Sequence, residues 1–168
     1  MNTSESAWER RVADLWSEID NYEPDAFVAQ IDAIVLELPL HSAVGLFERG
    51  SAQDSTGHPD LAVPLYRAAL NAGLTGLRRR RATIQLASSL RNLGDPREAA
   101  ELLSAEVRAT SDELDGAVRA FLALALADLG REREALGISL AALSRYLPRY
   151  NRSLARYASE ITQLDDAP

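Results

Sequence analysis

Leu93-Gly94-Asp95-Pro96-Arg97-Glu98-Ala99 is echoed 36 residues later by Leu129-Gly130-Arg131-Glu132-Arg133-Glu134-Ala135. Leu-Gly and then Arg-Glu-Ala recur at one internal spacing. A fainter copy lies upstream, where Gly57 and Ala62 precede Gly94 and Ala99 by 37 residues. A fixed period of this length marks stacked supersecondary units, none of which buries its apolar face alone. The repeat points to a stacked architecture and to binding as the class of function.

Outward from these segments, helix-compatible patterns alternate with brief breaks. Helices are expected near 4–20, 24–37, 42–55, 59–72, 76–92, 96–110, 112–128, 132–146 and 148–164. No stretch holds the period-two alternation of a strand. The breaks have mechanisms. Gly94 can take positive φ and end a helix, Asp95 can cap the next, and Pro96 gives up a donor that the first turn leaves unpaired anyway. Gly57-His58-Pro59 repeats this arrangement, and Gly130 keeps the stop glycine without the proline. Thr110-Ser111-Asp112-Glu113 reads as a helix start, its acids favourable at the positive end of the dipole. Turns this short make consecutive helices antiparallel.

Small residues recur where helices would cross. Gly50, Ala87 and Ala123 hold matching places in the first helices, and Ala62, Ala99 and Ala135 in the second. Leu86, Leu90, Leu122 and Leu126, with Tyr66, Leu103 and Leu140, would fill the grooves between them.

On these residues the chain resembles the tetratricopeptide repeat family. Leu86-Ala87 and Leu122-Ala123 stand for that family's Leu-Gly, and Leu90 and Leu126 for its tyrosine. Ala62 with Tyr66, Ala99 with Leu103 and Ala135 with Leu140 stand for the second-helix pair. The usual tryptophan place holds Leu46, Thr83 and Arg119, and Gln53 replaces the tyrosine in the first unit. The match spans about residues 42–146, and its period is two to three residues longer than usual. The resemblance implies a right-handed, all-α stack of antiparallel hairpins, about nine helices ending in a capping helix. It also implies a protein-interaction role, self-association and no catalysis. The segments expected are an N-terminal helical pair over 1–41, three degenerate repeats over 42–147 (42–75, 76–111 and 112–147), and a capping helix with its tail over 148–168.

Composition narrows the class further. At 46% hydrophobic residues the chain is not of the disordered type. Its longest apolar candidate, 117–129, is broken by Arg119 and Asp128 and falls short of a membrane span. The N-terminus lacks a basic start followed by an apolar stretch, so no secretory signal is expected, and a cytoplasmic location is the default. Without cysteine there are no disulfides, thiolate metal sites or Cys nucleophiles. The net charge of −7 argues against nucleic acid. Residues 1–60 carry 12 acids and 3 arginines, and the remainder 13 acids and 15 arginines, so the two parts can attract within a chain or between chains. All 18 basic residues are arginine, which codon bias in a GC-rich bacterial genome explains simply.

In such stacks the first helices line a concave surface, so their residues not needed for packing are the candidate site. Arg81, Gln85, Ser88 and Asn92 fall on one stripe, with Arg91 beside it. Glu48, Ser51, Asp54 and Ser55 hold corresponding places on the preceding first helix. An acidic strip could thus lie beside a basic-amide strip, suited to a peptide backbone or carboxylate; the plainer alternative is a solvated face whose strips pair with each other. In the third unit Phe121, Leu124 and Ala127 would face the same groove. That helix, apolar nearly all round, reads as buried on all sides. The segment with Leu154, Tyr157, Ala158 and Ile161 would cover it, or else a dimer partner or an apolar peptide.

Arg78-Arg79-Arg80-Arg81 looks like a nucleic-acid patch. Four consecutive helical residues point four ways, however, about 100° apart, and ion pairs with the acidic N-terminal third would offset their crowding at a helix start. His41 and His58 sit in breaks without metal-ligand spacing, and no phosphate loop or nucleophile elbow appears. Trp8 and Trp16 either seal the first end of the stack or anchor a partner helix. The expectation is a non-enzymatic module without cofactor, metal or catalytic residues. It would bind a protein or peptide segment in a groove of Glu48, Ser51, Asp54, Arg81, Gln85, Ser88, Arg91, Asn92, Phe121 and Leu124. The alternatives are a structural homodimer joined through the apolar helix and a regulatory domain that binds a small signalling peptide.

Overall fold

The computed structural model describes residues 3–109 and 111–163. Among them run nine helices: α1 (Thr3–Ser17), α2 (Pro24–Val35), α3 (Ala43–Ser55), α4 (Pro59–Asn71), α5 (Gly76–Asn92), α6 (Pro96–Ala109), α7 (Asp115–Asp128), α8 (Glu132–Ser144) and α9 (Asn151–Gln163), with a 3-10 turn at Ile19–Asn21. No strand occurs among the described residues. Consecutive helices pack on one another from α1 to α4 and from α6 to α9, as antiparallel hairpins require. The chain falls into two compact units, residues 1–82 and 83–168, divided within α5.

The repeated glycines end helices by one device. Gly57, Gly94 and Gly130 have φ of 89°, 91° and 74°. In each case the next residue donates its backbone N–H to a carbonyl five positions back: His58 to Gln53 at 2.8 Å, Asp95 to Leu90 at 2.9 Å and Arg131 to Leu126 at 2.9 Å. This is the Schellman closure, and it needs the left-handed conformation that glycine adopts without strain. Gly73 closes α4 in the same way, with Leu74 bonded to Ala69 at 3.1 Å. The Asp95 carboxylate then accepts the Glu98 N–H at 3.0 Å and caps α6.

Two helix starts lie later than the sequence pattern places them. Asp112 does not open α7. Its carboxylate accepts the Leu114 N–H at 2.8 Å, while Asp115 accepts from Ser111 Oγ and from the Asp112 N–H. These short side chains hold a turn by local hydrogen bonds, and helical geometry begins only at Asp115. Thr110 lies outside the described residues. α9 begins at Asn151 rather than 148, after Tyr150 at a φ of 64°.

In the first unit the core joins Trp8, Val12 and Leu15 of α1 to Phe27, Ile31 and Val35 of α2 and to Ala52 of α3. Trp16 meets Phe27 edge-on, with ring centroids 4.9 Å apart. The Trp8 indole N–H donates to the Ile34 carbonyl at 3.0 Å, so this large ring is buried without stranding its polar atom. Both tryptophans thus pack inside the unit. Gly50 lets the fully buried Tyr66 lie against α3: a Cβ at Gly50 would stand 3.0 Å from two ring carbons.

In the second unit the matched alanines and leucines are core. Ala87, Ala99, Ala123 and Ala135 are buried, as are Leu86, Leu90, Leu103, Leu122 and Leu126. Leu140 is half-buried. α9 lies against α8 at Gly137, where a Cβ would overlap the Thr162 methyl and stand 3.0 Å from the Ala158 carbonyl oxygen. Of the inward stripe on α9, Ala158 is buried, Leu154 and Ile161 are half-buried, and Tyr157 is exposed.

Candidate functional site

The first unit carries part of the expected groove on α3 and the first turn and a half of α5. Glu48 and Ser51 are not solvent-facing there; both are buried. The Trp16 indole donates to Glu48 Oε2 at 2.9 Å, and Arg78 Nε donates to Oε1 at 3.0 Å. Arg78 also donates through Nη1 to Glu9 at 2.9 Å. One guanidinium thus bridges a carboxylate of α1 and one of α3, by the planar fork that arginine alone supplies. The hydrogen bonds to Glu9, reinforced by the charges of Glu48 and Glu9, hold Arg78 above its ordinary value. The acidic strip is therefore largely consumed within the protein, because burial obliges a carboxylate to find partners.

Below it sits a second cluster. Tyr66 donates to Asp54 at 3.4 Å and is also bonded to Ser51. Burial, with the nearby Asp54 charge, pushes the phenol far above the usual tyrosine range. Arg81 is exposed, and its guanidinium carbon stands 5.2 Å from the centroid of the buried Phe47 ring. A cation over an aromatic face is attracted by about 0.5–1 kcal/mol at an exposed site. Its fork is thereby oriented while its outward donors face water.

The four consecutive arginines do diverge, as 100° spacing requires. Arg78 reaches Glu9 and Glu48, Arg80 is buried, Arg79 is half-buried, and Arg81 faces out. The role of Arg78 and Trp16 in holding Glu48 was not assigned from sequence. The signal for it lay in the excess of acids over residues 1–60 beside an arginine run.

In the second unit, Gln85 and Ser88 are half-buried and Asn92 is exposed. Arg91 is half-buried and tied to Asp128 of α7, with Nη2 to Oδ1 at 3.3 Å and an Nε–Oδ2 ion pair. On α7, Val118, Leu122, Ala123, Ala125 and Leu126 are buried. Phe121 is half-buried, and Leu124 is 45% exposed beside exposed Ala120 and Ala127. The expectation that α7 is buried on all sides is corrected: one apolar face stays open. Alanine-rich helices are apolar by composition, yet their small side chains leave little surface that must be covered.

No group of three or more metal-ligating side chains occurs among the described residues. A cavity of about 510 Å³ beside the α2–α3 turn is lined mostly by aliphatic side chains, and its Arg49 is tied to Asp32 at 2.7 Å. No helix among the described residues is long and apolar enough to cross a membrane.

Among known families, the one described as Tetratrico peptide repeat matches residues 43–161, more than half of the chain. Neither a curated protein nor a solved structure matches it. Repeats of that family are generally non-enzymatic and serve protein interaction.

Proposed function

We propose that this chain, which belongs to the tetratricopeptide repeat family, is a non-enzymatic module that recognises an extended protein or peptide segment along its first helices. The observation that carries the reading is Arg81, exposed yet braced over the Phe47 ring at 5.2 Å. An arginine oriented before the ligand arrives loses less side-chain freedom on binding, and its fork matches a carboxylate or a peptide carbonyl. In the second unit Asn92 offers an exposed amide, and Phe121 with Leu124 offers apolar area. Glu48 and Ser51 support the walls rather than contact the ligand, since both are buried. Arginine and aromatic anchors commonly dominate such contacts.

The test is capture of peptides from a display library by the full chain, followed by affinity measurement on Arg81→Ala and Asn92→Ala. We expect Arg81→Ala to weaken binding about tenfold or more. Unchanged affinity in both variants rejects this site. A second reading, a homodimer seated on the open face of α7, is favoured by the exposure of Leu124 alone. It predicts a dimer that Leu124→Asp abolishes.

A further inference from the structure

Two oppositely charged surfaces lie far apart in the chain, and neither is used by the site described above. Residues 145–157 read RYLPRYNRSLARY: four arginines, three of them followed by tyrosine, and no acid. All four arginines are exposed, and Tyr146, Tyr150 and Tyr157 are 69%, 78% and 49% exposed. Arg149 and Arg152 have no ion-pair partner among the described residues. Arg156 lies over the Tyr157 ring, its guanidinium carbon 5.0 Å from the centroid. Arginine and tyrosine are among the residues enriched where proteins meet.

Residues 13–26 are the converse. Asp14, Glu18, Asp20, Glu23 and Asp25 are all exposed, and no basic residue interrupts them. None of the five forms an ion pair among the described residues. Elsewhere in the chain exposed acids do find arginines, as Glu37 finds Arg11 and Asp128 finds Arg91.

We infer that the Arg-Tyr surface over residues 145–157 docks on the acidic surface over residues 13–26 of a second copy of this chain. The argument is charge complementarity: four exposed cations, of which Arg149 and Arg152 are unpaired while Arg145 and Arg156 make only long pairs at 3.4 and 3.6 Å with Asp115 and Glu160, and a run of five unpaired exposed anions belong to one sequence. The two patches differ, so the contact is heterologous. Each copy that docks leaves its own free patches for the next, and assembly is open-ended unless the rotation closes a ring. Single exposed ion pairs contribute little, so the contact is weak, salt-sensitive and dependent on the tyrosines for apolar area.

The experiment is analytical sedimentation of the full chain over a concentration series at low and high salt. The expected result is a mean mass that rises past the dimer with concentration at low salt and returns to the monomer at 1 M salt, where screening acts within about 3 Å. Arg149→Glu with Arg152→Glu, and separately Asp14→Lys with Glu18→Lys, should each lower the association constant about tenfold or more. All four positions are exposed, and circular dichroism checks that each variant is folded. Mixing the two variants should restore a complex, because each keeps the patch that the other has lost. A chain that stays monomeric at low salt overturns the proposal. So does a dimer that is indifferent to salt and charge reversal but lost in Leu124→Asp, which would be the symmetric α7 contact instead. Binding of a single-stranded oligonucleotide through Arg149 and Arg152, with no self-association, would also overturn it.

Discussion

Replacing Arg78 by methionine should be among the most damaging single changes in the first unit, and the structure says why. Glu48 keeps only 4% of its side chain exposed, and among the described residues Arg78 is its one basic partner by ion pair. Methionine keeps much of the arginine stem's volume but leaves the carboxylate with the Trp16 indole alone. Removing one partner of a buried ion pair typically costs about 3–5 kcal/mol, because the charge left behind can no longer be solvated. The Glu9 end contributes little, since Glu9 is 39% exposed and water replaces the guanidinium there. At roughly 2–4 °C of melting temperature per kcal/mol for a chain of this size, the midpoint should fall by about 6–20 °C. The control is the double variant Arg78→Met with Glu48→Gln. It removes the orphaned charge, keeps an acceptor for Trp16, and should recover at least about 2 kcal/mol of the loss. Thermal and urea unfolding followed by circular dichroism and tryptophan fluorescence measure both. If the single and double variants unfold at the same point, the loss came from packing of the arginine stem, and the buried-charge argument fails.

Four further outcomes follow from the same structure. Tyr66→Phe should cost about 1 kcal/mol at neutral pH, for the bonds to Asp54 and Ser51. Because the folded phenol lies above its ordinary value, the folded state keeps a proton that the unfolded chain releases. Stability should therefore decline as pH rises past about 10, and Tyr66→Phe should flatten that decline in urea titrations. Gly137→Ala should destabilise by about 1–3 kcal/mol despite the better helix propensity, since the Ala158 carbonyl in its way is backbone. Gly116→Ala meets only the hydroxyl end of exposed Tyr146, which can swing aside, so its thermal midpoint should stay level or rise. Arg11→Ala removes a solvent-exposed pair with Glu37, and its midpoint should not move measurably.

Much of the scaffold was legible because it rests on local rules. Gly57, Gly94 and Gly130 announce helix ends since only glycine enters the left-handed region freely, and Asp95-Pro96 announces a start. Less of the candidate site was legible. Residues at steps of three and four share a face, but spacing does not say whether another element covers it. Glu48 and Arg81 fall on the same expected stripe of successive first helices, one turn apart in register. One is buried beneath Trp16 and Arg78, and the other lies open over Phe47. On α7, composition overstated burial, because alanine counts as apolar yet needs little cover.

Sequence alone determined that the chain is a series of helical hairpins, where most of them begin and end, and which small residues lie at their crossings. Those outcomes depend on backbone geometry and on contacts a few residues apart. Only the tertiary structure decided that α1 returns to α3 and meets α5 through Arg78, since Glu9 and Arg78 are 69 residues apart and many arginines offered the same charge. It likewise decided which charges are spent inside the fold and which, such as those over residues 13–26 and 145–157, remain exposed. Exposure is a property of everything packed around a side chain, and no local pattern encodes it.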